Sequence, residues 1–171
     1  MNKVFCVGLG LICAALMGLP KISQAQGGPT LTLAGGSLRY DLQGSGTVGF
    51  SAVRVGIPVS SRITIEPGVT VGGLGSRRGG AYPMLIPEVQ VQARWSAGSI
   101  QPFVGVGVGA FFDLRGNRQG SNLSSTMISG VIGARSQLNS KWNAQAELRA
   151  RGIDQFRGNT VELTAGVSRR F

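Results

Sequence analysis

One feature constrains this chain more than any other: from Thr30 onward the dominant period of its apolar and polar side chains is two. In Leu85–Trp95, the residues Leu85, Pro87, Val89, Val91, Ala93 and Trp95 fall on one side, and Glu88, Gln90, Gln92 and Arg94 on the other. A helix would mix these sets, whereas a strand points successive side chains to opposite faces and separates them. Ile63, Ile65, Val69 and Val71 stand in the same way against Arg62, Thr64, Glu66 and Thr70. The pattern returns in Ile100–Asp113, Trp142–Arg149 and Val161–Phe171, and less regularly in Thr47–Val59 and Ser125–Leu138. In Thr30–Tyr40 the parity slips across Gly35-Gly36, which reads as a β-bulge. Eight strands of roughly 10 to 13 residues follow, about the length of a tilted strand that crosses a bilayer.

The connections alternate too. Ser60-Ser61, Ser96–Ser99 and Asn139–Lys141 are tight, while Ser76–Pro83, Leu114–Ser124 and Asp154–Asn159 are longer and rich in Gly, Asn, Ser and Arg. Short turns at one end and longer loops at the other are the habit of even-stranded membrane barrels. This threading puts Trp95, Trp142 and Phe171 near the turn-side rim and Tyr40, Tyr82 and Phe112 near the other, which makes two aromatic girdles. A soluble β-sandwich or lipocalin-like barrel also alternates, but hides its apolar face inside. The girdles, even count and loop asymmetry favour an all-β, eight-stranded antiparallel up-and-down transmembrane β-barrel. No apolar run after the first 25 residues approaches the roughly 20 of a membrane helix.

Those first 25 residues read as a cleaved secretory signal, with Lys3 as the positive start, Val4–Leu19 as the apolar stretch and Ser23-Gln24-Ala25 as the cleavage site. Residues 26–171 are then the barrel domain. Cys6 and Cys13 both lie in the signal, so the exported part has no thiol for a disulfide or a soft metal. The net charge is +10, and removing Lys3 and Lys21 leaves +8. Export argues against nucleic acid as the partner of this charge and favours an anionic lipid surface.

The segment Val161–Phe171, through Leu163, Ala165, Val167 and the terminal Phe171, resembles the assembly signal of outer-membrane barrels; Arg169 departs from it where an apolar residue is usual. The whole exported part resembles the small outer-membrane barrel domains of the OmpA/OmpX type. The resemblance implies location in the outer membrane, contact with its lipid, and handling by the barrel-assembly machinery through Phe171. Several small barrels of this kind are lipid A enzymes that depend on a histidine, and this sequence has none. The usual base for activating a serine or water is therefore missing. Gly105, Gly107 and Gly109 alternate within a strand and make room in a narrow lumen, instead of forming a phosphate loop between strand and helix. No catalytic residue, cofactor site or metal site is expected.

What remains is a non-enzymatic role in envelope structure or surface interaction. Arg77, Arg78, Arg115, Arg118 and Arg157 fall in the longer loops and are candidates for binding phosphates of outer-leaflet lipid such as lipopolysaccharide. Inside the barrel, hairpin arithmetic pairs Arg54 with Glu66, Arg135 with Glu147 and Arg151 with Glu162. The alternatives are a porin-like narrow diffusion channel, disfavoured because side chains fill an eight-stranded interior, and a soluble periplasmic β-barrel binding protein.

Overall fold

A strand has an unpaired hydrogen-bonding row on each side, and among the described residues this chain leaves no edge strand, because its sheet closes on itself. The computed structural model describes residues 28–40, 47–75, 81–114, 123–154 and 158–171. They form β1 (Thr30–Tyr40), β2 (Thr47–Pro58), β3 (Ile63–Gly75), β4 (Ala81–Arg94), β5 (Ile100–Asp113), β6 (Leu123–Gln137), β7 (Trp142–Ile153) and β8 (Gly158–Arg170). Each strand runs antiparallel to its sequence neighbours, and β1 pairs with β8 to close the barrel. The ladder is interrupted at two places, opposite Pro67 between β2 and β3 and at Pro87 between β4 and β5. Proline has no N–H to contribute at either. The expected signal segment lies outside the described residues.

The registers fix the geometry of the wall. Traced from partner to partner, Tyr40 leads through Thr160, Arg151, Ser129, Gly107, Gln90 and Glu66, then across the proline gap to Gly56, and returns to β1 at Thr30, a stagger of ten residues. With a rise of about 3.3 Å per residue and a strand spacing of about 4.8 Å, that stagger tilts eight strands by about 40°. Strands of 11 to 15 residues then climb about 28 to 38 Å, enough for an apolar band of about 25 Å.

The wall is inverted relative to a soluble protein. Val106, Val108, Leu163, Ile132 and Leu33 are exposed on its outer surface, whereas Arg149, Arg151, Glu66, Glu147 and Glu162 are buried within. This is the distribution of a barrel whose solvent is hydrocarbon. Trp95, Trp142 and Phe171 stand exposed at the end that carries the tight turns. Of the second girdle, Phe112 is half-buried, and the side chains of Tyr40 and Tyr82 lie outside the described residues.

Two expectations are corrected. There is no bulge at Gly35-Gly36, because β1 keeps one unbroken register with both β2 and β8. The apparent slip arises because leucine changes side: Leu33 faces out, while Leu38 is fully buried in the lumen. The strands also run further than expected at the loop end, with Ala81–Pro83, Leu123-Ser124 and Gly158-Asn159 all belonging to strands.

The turns are set by side chains. Ser60 Oγ accepts hydrogen bonds from the N–H groups of Arg62 (3.2 Å) and Ile63 (3.0 Å). Asn139 Oδ1 accepts from Lys141 and Trp142, both at 2.9 Å, as asparagine does when it replaces a backbone turn. Gly98, with φ of 65°, takes the left-handed position in the β4–β5 turn.

Arg169, the departure from the assembly signal, is accommodated at the rim. Its guanidinium lies 5.9 Å from the Trp142 ring and 5.3 Å from that of Phe171. Arg169→Ala forfeits contacts of this kind, worth roughly 0.5–1 kcal/mol at an exposed site, and keeps most of its folded fraction in cells. Phe171→Ala is expected to lose most of it, as judged by heat-dependent mobility on electrophoresis; equal folding of Phe171→Ala and wild type removes the assembly role of the terminal aromatic.

Candidate functional site

Eight strands leave an interior that side chains can fill, and here they fill it in tiers. Towards the loop end the lumen is apolar, with Leu38, Phe50, Met84, Ile86, Phe111 and Met127 packed in one buried cluster. Towards the turn end lies a cavity of about 460 Å³, lined among others by Arg62, Arg94, Arg135, Arg170, Thr64 and Ser168. Between them is a belt of charge.

The belt is a connected chain. Arg54 Nη1 lies 2.6 Å from Glu147 Oε1, which is 3.1 Å from Arg149 Nη2. Arg149 Nη1 continues to Glu88 Oε2 at 2.7 Å, and Arg151 donates to the same oxygen through Nε (3.2 Å) and Nη2 (2.9 Å). Arg151 ends the chain on Glu162. Ser129 Oγ donates to the other oxygen of Glu88. A second group is centred on Glu66, whose Oε1 takes Arg135 Nη2 at 3.1 Å and whose Oε2 accepts from Gln90 and, at 2.6 Å, from Gln92. Arg135 also donates to Gln145 Oε1 (3.0 Å) and Gln92 Oε1 (2.9 Å), and stacks 5.0 Å from the Phe103 ring. Glycine provides the space: a Cβ on Gly107 would stand 2.6 Å from Glu88 Oε1 and 2.7 Å from Ser129 Oγ.

Of the three pairs read from the sequence, the structure brings together Arg151 and Glu162. The other two are corrected. Arg54 pairs with Glu147 and Arg135 with Glu66, so the expected partners are exchanged. The registers explain part of this, since Arg54 faces Gly68 and Arg135 faces Gln145, which leaves Glu66 and Glu147 diagonal to them. The narrow lumen explains the rest: an arginine on β2 reaches β7 and one on β6 reaches β3, distances that hairpin arithmetic ignores. From the sequence, Glu88 falls on the polar side of its strand and has no partner across a hairpin. It is the hub, meeting two arginines of β7 from β4. The loop arginines Arg77, Arg78, Arg115, Arg118 and Arg157 lie outside the described residues.

No protein-family model matches the chain, and no curated protein matches it in sequence. Solved structures do match in shape. Neisserial surface protein A superposes with a TM-score of 0.69 at 13% identity, over 84% of this chain and 97% of its own. The N-terminal β-barrel domain of Pseudomonas aeruginosa OprF gives 0.58 at 14%, over 85% and 100%. Ail, the attachment invasion locus protein of Yersinia pestis, gives 0.57 at 11%, over 85% and 99%. The chain shares the closed eight-stranded fold of these small barrels.

The hub yields a stability prediction. Glu88→Gln leaves Arg149 with Glu147 alone and Arg151 with Glu162 alone, so two arginines lose countercharge at once. The cost is bounded by the roughly 3 to 5 kcal/mol of a buried charge left with no partner. Glu162→Gln costs less, because Arg151 keeps Glu88. Urea unfolding of the refolded barrel in detergent orders the two, and an equal loss argues against a hub. Gly107→Val, which drives a branched side chain into Glu88 and Ser129, is expected to prevent closure.

Proposed function

We propose that the chain is a non-enzymatic barrel of the outer membrane, with a structural or surface-interaction role, its lumen shut to solutes. The observation that carries this reading is the plug: a belt of buried, mutually paired charges backed by a buried apolar cluster. A solute path needs mobile side chains or water along the axis, and across the belt the arginines and glutamates are committed to one another. A sequence without histidine supplies no usual general base. The surface role is assigned to the loop arginines Arg77, Arg78, Arg115, Arg118 and Arg157, whose guanidinium forks suit phosphates of anionic outer-leaflet lipid. Export through the cleaved signal and insertion by the assembly machinery complete the reading.

Two measurements test it. In planar bilayers the purified barrel is expected to show no steady conductance; a stable open level replaces this reading with the narrow-channel one. Replacing Arg77, Arg78, Arg115 and Arg118 by Gln is expected to weaken binding to vesicles containing lipid A while the fold remains. Raising salt weakens the wild type similarly, because exposed charges are screened over about 8 Å at physiological ionic strength. Unchanged binding by the variant removes the loops from the lipid-binding role.

A further inference from the structure

The cavity at the turn end is used neither by the plug nor by the loops. Four arginines line it. Arg135, at its base, is matched by Glu66. Arg62, Arg94 and Arg170 have no carboxylate in ion-pair contact among the described residues, and Arg94 stands within repulsive range of Arg135 and Arg170. Among the described side chains, the one carboxylate outside the belt is that of Asp154, which follows β7 at the opposite end of the strands. Arg94 and Arg170 are half-buried, so water does not fully absorb this concentration of like charge. A second, independent observation lies in the wall of the same cavity. The hydroxyls of Thr64 and Ser168, on side chains 2% and 1% exposed, have no hydrogen-bond partner. Buried hydroxyls of this kind are ordinarily paired.

We propose that this cavity binds a compact polyanion carrying phosphate groups, held by Arg62, Arg94 and Arg170 and by the hydroxyls of Thr64 and Ser168. Guanidinium forks match phosphate oxygens in pairs, and charge-assisted bonds of this type are about twice as strong as neutral ones. Threonine and serine hydroxyls add donors to the same oxygens. A volume of about 460 Å³ exceeds what one inorganic ion needs and falls in the range of small-ligand pockets. Two sources offer that chemistry: a soluble phosphorylated compound entering along the axis, and the headgroup of an anionic phospholipid folding over the turn-side rim. The site stands apart from the loop arginines, so its test does not depend on theirs.

The experiment has two arms, both on the whole exported barrel. In the first, pyrophosphate is titrated calorimetrically into the barrel in a zwitterionic detergent. In the second, the temperature at which heat-dependent mobility is lost is compared in phosphatidylcholine nanodiscs with and without phosphatidylglycerol. The variants are Arg94→Gln and Arg170→Gln, singly and together, with Lys141→Gln as a control cation at the same end that does not line the cavity. If the double change prevents folding, each single change decides. Pyrophosphate binding weakened about tenfold or more by the cavity variants, as loss of one charge-assisted bond implies, and unaffected by Lys141→Gln, supports a soluble ligand. Stabilisation by phosphatidylglycerol, abolished in the same variants, supports the headgroup. Absence of both effects, or equal sensitivity to Lys141→Gln, overturns the proposal.

Discussion

Everything in this barrel depends on one requirement: backbone N–H and C=O groups placed in hydrocarbon must be satisfied within the wall itself. Closure of β1 on β8 meets it. Closure with eight strands then sets a narrow interior, and a narrow interior puts every inward side chain within reach of those opposite. Polar groups there have little water to turn to, so the inward arginines and glutamates are held by one another. The glycines of β5 follow from the same crowding. Gly107 is small because Glu88 and Ser129 occupy the space its side chain would need.

Most of the fold was legible because the outer solvent imposes one choice at every second residue. Where the inward residue is Gln, Glu or Arg, as in β4 and β7, the contrast with outward Val, Ala or Leu is complete and the strand is plain in the sequence. Legibility fails at the loop end, where the lumen is apolar too. Leu38 in β1, Met84 and Ile86 in β4 and Met127 in β6 face inward with side chains as apolar as their outward neighbours. The alternation fades there, which is why β1 seemed to slip and β4 seemed to begin late.

The inward charges themselves were legible from parity, but their partners were not. Sequence arithmetic joins residues across a turn, and it found Arg151 with Glu162 on adjacent strands. It has no means of joining β2 to β7, β3 to β6 or β4 to β7, which is where Arg54, Glu66 and Glu88 find their partners. The turn-end cavity was hidden for a different reason. Arg94 and Arg170 read simply as inward residues at strand ends, and it is closure of the barrel that sets those ends round one mouth with Arg62.

The belt holds Arg54, Arg135, Arg149 and Arg151 against Glu66, Glu88, Glu147 and Glu162, equal numbers of each sign. This equality bears on how the barrel responds to voltage. A potential across a membrane acts on charge within the span, by about 2.3 kcal/mol for each elementary charge carried through 100 mV. On a neutral belt the forces on its members cancel, and the field can only stretch contacts that are already short. Among the described residues, Arg62, Arg94, Lys141 and Arg170 carry their positive charge at the turn-side ends of the strands instead. A belt of equal opposite charges that moves as one unit therefore carries no net charge through the field.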